Sequence, residues 1–429
     1  MDGTVRGVSR PASTSLVRGA CPGVAAPMEA ADGMLLRVRV PGGAIAADGL
    51  RTVADVAERF GSGVVELTVR ANLQLRGVRP HDVAAAGERL VRSGLALADP
   101  VRDERRDVIG SPLAGHDPTE LVDLSGTIAE VADRLAAEPA LDGLPPKFSV
   151  VLDGGGATSV RSIPADIAVG AVRADGRTVL QLALGRALDG GAPDACIAVN
   201  DVVGVVLAAA RLAAAHGERL AWLTDMLGHE AVTDTIMARG SAGDQGIDPA
   251  TGRPLTQLGR RGDRATTSVP VVVGAAGPAT AQPPPIGPSP HPDRDRVNIG
   301  AAPFLGRTGP AALRSVADLA TATGASIRLT PWRGLALVDV PRSQLGTATA
   351  ALAAAGFSAD PDDPAHLVSA CVGRPGCASS RADTQAAAVA LLDGLTSRIH
   401  LSGCEKRCGA GAEHVVVADE GGAFRIGVR

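Results

Sequence analysis

Four cysteines near the end of the chain form two close pairs and are the residues best suited to hold a metal. Cys371 and Cys377 enclose Val-Gly-Arg-Pro-Gly, and Cys404 and Cys408 enclose Glu-Lys-Arg. Thiolates bind zinc and iron–sulfur clusters. Structural zinc usually draws on pairs separated by two to four residues, whereas a wider loop containing Gly and Pro can surround a bulkier cluster. The spacing favours a [4Fe–4S] cluster on these four cysteines, with zinc or inert core thiols as alternatives.

Basic residues recur beside glycine or proline turns. Arg37 and Arg39 alternate with apolar residues before Pro-Gly-Gly, Arg106 follows Arg105, and Lys147 follows Pro-Pro. Residues 65–77 also alternate, so that one side of the segment carries Glu66, Thr68, Arg70, Asn72, Gln74 and Arg76. Most alternating strands present such a face to solvent. Basic residues at several separate turns are also consistent with a pocket for a polyanion.

Composition limits the class of protein. The 429 residues carry a net charge of −4, so no cationic surplus exists to neutralise the phosphates of a nucleic acid. No run of eighteen apolar residues predicts a membrane span, and the first twenty residues lack the apolar segment of a secretory signal. We therefore expect a cytoplasmic protein with no nucleic-acid or membrane partner. Thiols stay reduced in that compartment, which favours cysteine ligands over disulfides. The isolated Cys196 is expected to be a small buried hydrophobe.

An internal repeat organises the elements that must position these residues. The segment Leu50–Ala57 returns as Leu313–Ala320 with nearly the same sequence. Each copy is predicted to be a helix that follows one strand and precedes two strands and a second helix. The order β-α-β-β-α is ferredoxin-like. The repeat therefore predicts two halves related by a pseudo-twofold axis.

The remaining sequence divides around the two halves. A Pro-rich stretch before the second copy predicts a linker. The predicted divisions are an N-terminal segment 1–29, a first ferredoxin-like half 30–95, an α/β domain 96–240, a loop and linker 241–295, a second half 296–357, and a cluster-binding region 358–429.

The motifs resemble those of the nitrite/sulfite reductase superfamily over nearly the whole chain. The matching segments are Arg37-Val-Arg-Val-Pro-Gly-Gly43, Thr68-Val-Arg-Ala-Asn-Leu-Gln74, Arg106-Asp-Val, Leu144-Pro-Pro-Lys-Phe148 and the two cysteine pairs. The resemblance implies an α+β fold: two ferredoxin-like half-domains and two cofactor- or cluster-binding domains around a [4Fe–4S] cluster and a sirohaem. It implies that Cys408 bridges cluster and haem iron. It also implies that Arg39, Arg106 and Lys147 bind a small oxyanion, while Arg70 and Gln74 hold the macrocycle's edge.

Within this superfamily the sequence most resembles a branch of O₂-dependent monooxygenases in aerobic cobalamin biosynthesis. The similarity rests on Arg18-Gly-Ala-Cys-Pro-Gly23, on the short length, and on Ile399-His-Leu-Ser-Gly-Cys404. It implies hydroxylation of precorrin-3A at C20 with lactone formation, using a [4Fe–4S] cluster, a mononuclear non-haem iron and an external NADH-linked or ferredoxin-like electron donor. His116 and His400 are the candidates for the mononuclear iron. The residues predicted to contact the tetrapyrrole are Arg37, Arg39, Arg70, Asn72, Gln74, Arg76, Arg106 and Lys147.

One departure from the reductases bears on substrate. Sulfite reductases carry a second lysine two residues after the position of Lys147, where this chain has Ser149. A unit charge about 4 Å from an oxyanion contributes roughly 4 kcal/mol at an effective dielectric near 20, before desolvation. Its loss weakens the case for sulfite or nitrite reduction. Two alternatives remain at this point: a sirohaem-dependent nitrite or sulfite reductase, and a non-enzymatic zinc-binding scaffold.

Overall fold

Residues 22–240, 285–410 and 414–424 are described by the computed structural model. Most of the predicted N-terminal segment, with Cys21, and most of the predicted linker lie outside these ranges. The described residues form four sheets with helices packed on them.

The first ferredoxin-like half forms an antiparallel sheet covered by two helices. Its principal helix buries residues spaced three and four apart, which include Leu50, Val53 and Ala57. The half consists of β1 Met28–Ala30, β2 Gly33–Val38, β3 Ala44–Ile45, α1 Ala47–Phe60, β4 Val65–Leu67, β5 Leu73–Val78 and α2 Val83–Arg92.

The domain after it contains a five-stranded sheet with three parallel strands, in the order β10-β9-β8-β7-β6. Its elements are α3 Pro100–Glu104, β6 Val108–Gly110, α4 Ser125–Ala137, β7 Val150–Asp153, β8 Ile167–Ala174, β9 Arg177–Leu184, β10 Ala195–Ile197, α5 Val202–His216, α6 Leu220–Leu227 and α7 His229–Gly240. Among the described residues one helical stretch, Val199–His216, is long and apolar enough to cross a membrane, and 56% of it is buried inside the protein. Its apolar side chains belong to the core of this domain.

The second half and the cysteine-bearing region complete the fold. The second half consists of β11 Gly287–Ser289, β12 Arg296–Pro303, β13 Arg307–Thr308, α8 Pro310–Thr323, β14 Ser326–Thr330, β15 Gly334–Pro341, α9 Leu345–Ala354 and β16 Phe357–Ser358. The last region has three parallel strands, β17 Val368–Ala370, β18 Ile399–Ser402 and β19 His414–Val417. The helix α10 Thr384–Leu391 lies between β17 and β18 in the chain.

Each half contributes one strand to the sheet of the other half, which agrees with the pseudo-twofold relation that the repeat predicts. β13 of the second half completes the first sheet, in the order β1-β2-β5-β4-β13, and β3 of the first half completes the second, in the order β11-β12-β15-β14-β3. The repeated helices α1 and α8 pack together, with Arg51 2.8 Å from Asp318 and Arg314 2.8 Å from Asp55. Both halves share one apolar core.

The structure differs from the sequence-based divisions at two short strands. β1 crosses the predicted boundary between residues 29 and 30, and β11 lies in the predicted linker, yet each forms an edge of a half's sheet. Three-residue strands show no readable alternation, and these form because an edge of β2 or β12 is available for pairing.

Candidate functional site

The two cysteine pairs meet because they follow neighbouring parallel strands. β17 ends one residue before Cys371, and β18 ends two residues before Cys404. Ala370 pairs with Leu401 in a parallel ladder, so both strands lead into loops at the same edge of the sheet. Sequence-distant thiols are thereby brought to one place. The first α/β domain has the same strand order, but Ser111 follows β6 where Cys371 follows β17.

Backbone packing shapes the two cysteine loops. The Gly403 N–H donates to Cys371 Sγ at 3.3 Å, and Thr384 Oγ1 donates to the Cys371 carbonyl at 2.7 Å. Gly373 has φ +66°, and a Cβ there would lie 2.4 Å from Thr384 Oγ1. A Cβ on Gly403 would lie 1.7 Å from Ser380 Oγ. The loops therefore depend on glycine at these positions. The first residue of α10, Thr384, packs against the loop of Cys371.

The other three thiols lie close enough to Cys408 to perturb its pKa. The pKa of Cys408 is raised, first by burial and then by the proximity of Cys404, Cys371 and Cys377. No three of the four sulfurs lie within 4.8 Å of one another. Tetrahedral zinc with Zn–S bonds of about 2.3 Å would bring its sulfurs to about 3.8 Å. The sulfurs are therefore not spaced as in a zinc site, whereas four thiolates are the donor set of a [4Fe–4S] cluster, for which these residues remain the predicted ligands.

Cys196 differs from expectation because it is exposed. It lies on β10, the edge strand of its sheet. A short apolar run such as Ala-Cys-Ile-Ala-Val does not distinguish an edge strand from a buried one.

Most of the basic residues that were predicted to contact the tetrapyrrole form ion pairs with acidic side chains of the protein. Arg39 is buried with Nη1 3.1 Å from Asp103 Oδ2, and Arg106 lies 3.1 Å from the other oxygen of Asp103. Arg76 is also buried, with Nε 2.8 Å from Asp32 Oδ2. The basic face is therefore largely neutralised within the protein, which sequence reasoning did not foresee.

The other predicted contact residues form a polar network that consists of two groups, one around Asp107 and one around Gln74. Arg70 Nε lies 2.7 Å from Asp107 Oδ2, and Asn72 Nδ2 donates to Asp107 Oδ1 at 3.3 Å. Arg37 Nη2 donates to Gln74 Oε1 at 2.5 Å. Arg70 Nη2, in contrast, is buried without a hydrogen-bond partner among the described residues.

Lys147 is exposed and has φ +68°, directly after two prolines. Ser149, at the position where reductases have a second lysine, is buried, and its backbone N–H donates to Asp166 Oδ2 at 3.0 Å. The chain therefore offers one cation on this loop.

An arginine that sequence reasoning missed joins the second half to the cysteine loops. Arg333 Nη1 donates to the Ala370 carbonyl at 2.6 Å, and Nη2 donates to the Gly409 carbonyl at 2.8 Å. It occupies the β14–β15 turn, as Arg70 occupies the β4–β5 turn. The repeat could have indicated it, because each turn carries an arginine directed at a neighbouring domain.

The two candidate histidines lie in different surroundings. His400 is fully buried on β18, with Nδ1 2.8 Å from Ser369 Oγ. His116 is half-buried, with Nδ1 3.2 Å from Asp339 Oδ1. Burial lowers the pKa of His116, and the nearby Asp339 acts in the opposite direction.

Comparisons with known proteins agree with this architecture. The family model described as the nitrite/sulfite reductase ferredoxin-like half domain matches residues 26–92 and 290–355. The model described as the nitrite and sulphite reductase 4Fe-4S domain matches residues 102–241. The four clustered cysteines lie outside the matched residues, so their role as ligands stays a prediction.

Relatives and a solved structure extend the similarity to most of the chain. A precorrin-3B synthase from Sinorhizobium sp is 30% identical, over 92% of this chain and 79% of its own. Sulfite reductase (ferredoxin) 2 of Mycolicibacterium paratuberculosis is 28% identical, over 90% of this chain and 69% of its own. The NirA protein of Mycobacterium tuberculosis shares the fold, with a TM-score of 0.67 and 23% identity over 88% of this chain and 69% of its own. The chain therefore belongs to the nitrite/sulfite reductase family and is an oxidoreductase of the iron–sulfur type.

Proposed function

We propose that this protein is a cytoplasmic precorrin-3B synthase, an O₂-dependent monooxygenase of aerobic cobalamin biosynthesis. It would hydroxylate precorrin-3A at C20 and close a lactone with an acetate side chain. The observation that carries the proposal is the 30% identity to a precorrin-3B synthase over 92% of the chain. One oxygen atom of O₂ enters the product and the other leaves as water, so the reaction needs two electrons and two protons. An NADH-linked or ferredoxin-like donor would supply the electrons.

The residues predicted to contact the substrate can recognise its carboxylates. Arg70 Nη2 is buried and has no hydrogen-bond partner within the described ranges, and Lys147 is exposed. Arginine can bind a carboxylate in a planar bidentate geometry, whereas lysine acts as a point charge. Arg37, Asn72, Gln74 and Arg106 would orient the macrocycle's edge through the polar network. Arg39 and Arg76, both buried in ion pairs, would hold that network in place.

The cysteine region would serve electron transfer to this pocket. When bound, the cluster would supply one-electron transfer and a mononuclear iron would supply O₂ activation. The chain links the cysteine loops to both halves: Arg76 Nη2 donates to the Gly376 carbonyl at 3.1 Å, and Arg333 bonds Ala370 and Gly409. These contacts would keep the predicted ligands Cys371, Cys377, Cys404 and Cys408 at a fixed position against the basic face.

The second candidate is a sirohaem-dependent nitrite or sulfite reductase. It is favoured by the identity to sulfite reductase (ferredoxin) 2 and by the 26% identity to a ferredoxin–nitrite reductase of Synechococcus elongatus over 87% of this chain. The loop of Lys147 argues against it, because the buried Ser149 stands where sulfite reductases carry a second lysine, so one cation of an oxyanion site is missing. We rank this function second for that reason.

Two measurements on anaerobically purified protein separate the candidates. A precorrin-3B synthase should lack macrocycle absorption as isolated, and should convert added precorrin-3A to a product heavier by one oxygen atom when O₂ and reductant are supplied. A reductase should carry stoichiometric sirohaem and should reduce sulfite or nitrite with a simple electron donor. Stoichiometric sirohaem in the untreated protein would refute the proposal.

A further inference from the structure

Three side chains with metal-binding atoms meet on the second ferredoxin-like half, outside the cysteine loops. Among the described residues, His116, His291 and Asp339 form the one group of three or more His, Cys, Asp or Glu whose ligand atoms all lie within 4.8 Å of one another. His116 Nδ1 is 3.2 Å from Asp339 Oδ1, and His291 Nε2 is 2.7 Å from the same oxygen.

Both separations from Asp339 Oδ1 are close to those between neighbouring ligands of an octahedral metal ion. A metal with bonds of about 2.1 Å to nitrogen and oxygen places ligands at right angles about 3 Å apart. His291 Nε2 is buried and is not aligned for a hydrogen bond with any described group, although the carboxylate oxygen is close. An ordinary histidine–aspartate pair would align one N–H with the carboxylate. A cation shared by the two imidazole nitrogens and this oxygen would account for the arrangement, with His291 Nδ1 then donating to the Asp293 carbonyl oxygen, which lies 3.3 Å away.

The backbone at Asp339 is strained. Asp339 has φ +67°, a left-handed conformation that residues other than glycine rarely adopt. In the first half, the residue that corresponds to Asp339 is Gly77, next to the end of β5, with φ +63°. A strained non-glycine residue persists where its surroundings hold it, and such residues cluster at functional sites. The first half therefore has glycine where the second half has a potential ligand.

Asn298 joins the two segments that carry the histidines. It is fully buried, and its Nδ2 donates to the His116 carbonyl at 2.9 Å and to the Pro290 carbonyl at 2.8 Å. One amide group therefore fixes the loop after β6 relative to the segment after β11. We assign Asn298 as a positioning residue for this group.

We propose that His116, His291 and Asp339 bind one divalent metal ion as a two-histidine, one-carboxylate facial triad. Such a set leaves three coordination positions for water, O₂ or a substrate atom and is typical of non-haem Fe²⁺. The choice of iron over another divalent ion rests on the proposed monooxygenase function, whereas the site itself does not. The side chains of His116 and Asp339 are 20% and 25% exposed, so an ion can enter from solvent.

Titration with Co²⁺ tests the site without turnover. Anaerobically purified full-length protein with its cluster intact should bind one Co²⁺ per chain, seen as visible d–d absorption and by metal analysis. The variants His291→Gln and Asp339→Asn should weaken binding by more than a hundredfold, and asparagine keeps the left-handed backbone accessible. Asn298→Ala should weaken it by about 10–100-fold, as removal of a supporting group does. His366→Gln replaces another half-buried histidine and should change nothing.

Each outcome decides the proposal. Absence of stoichiometric Co²⁺ or Fe²⁺ binding, or unchanged binding in both ligand variants with cluster absorption and circular dichroism intact, would overturn it. Binding here without conversion of precorrin-3A would leave the metal site standing and remove the proposed function. Conversion of precorrin-3A by protein that binds no metal at this triad would support the proposed function and refute the metal site.

Discussion

Replacing Arg70 by glutamine separates a substrate-binding role from a structural one. Among the residues that the structure describes, Arg70 makes one ion pair, with Nε 2.7 Å from Asp107 Oδ2, and its buried Nη2 has no partner. The two side chains are 27% and 15% exposed, so the pair lies between a surface and a buried ion pair. Arg70→Gln should therefore lower the free energy of unfolding by about 1–2 kcal/mol. Thermal unfolding followed by far-UV circular dichroism measures that loss.

The effect on substrate should be larger than the effect on stability. If Arg70 binds a carboxylate of precorrin-3A, its loss removes about 1.5–3 kcal/mol, the usual contribution of a hydrogen bond to a charged group. That corresponds to roughly ten- to a hundredfold weaker binding. Anaerobic titration of precorrin-3A followed by absorption measures the affinity.

Asp107→Asn is the matched control. It removes the same ion pair and should cost similar stability, but it leaves the guanidinium free and should not weaken precorrin-3A binding. Because the two residues are in contact, their effects need not add, and the double variant measures the coupling. Equal losses of affinity in Arg70→Gln and Asp107→Asn would show that Arg70 acts through the ion pair alone, which would refute the substrate-binding role.

Three further predictions follow from the structure. Cys408→Ser should abolish the visible absorption of the cluster, whereas serine at the exposed Cys196 should leave it unchanged; the reverse result would contradict the ligand assignment. Gly403→Ala should reduce cluster content because its Cβ would clash with a neighbouring hydroxyl, while Gly346→Ala, which meets open space, should not. Burial raises the pKa of Glu120 from 4.5 to about 7. As pH rises, the unfolded chain loses the Glu120 proton near pH 4.5, whereas the folded protein keeps it until about pH 7. The free energy of unfolding should therefore fall as pH rises from about 4.5 to about 7. Glu120→Gln should recover about 1–2 kcal/mol at pH 8, after allowance for partial exposure, and nothing near pH 4.5; equal unfolding temperatures at pH 8 would contradict this.

Much of the architecture was predictable from the sequence because local pattern determines it. The repeated segment Leu50–Ala57 and Leu313–Ala320 predicted two ferredoxin-like halves, and the family models and the structure confirm them. The cysteine spacing and the motifs predicted an iron–sulfur oxidoreductase, which the family match supports. Helical periodicity and short motifs are carried by residues near one another in the chain, so they can be read without coordinates.

Only the tertiary structure decided which groups face one another. The sequence showed the basic residues Arg39 and Arg76 but not which carboxylates pair with them, because those carboxylates come from other segments of the chain. His291 and Asp339 carried no local metal-binding pattern, and the segment containing His291 was expected to be a linker. They meet His116 only because β11 and β15 belong to one sheet and the first α/β domain packs against it. Proximity between residues distant in the chain follows from packing and strand pairing, which spacing along a sequence does not encode.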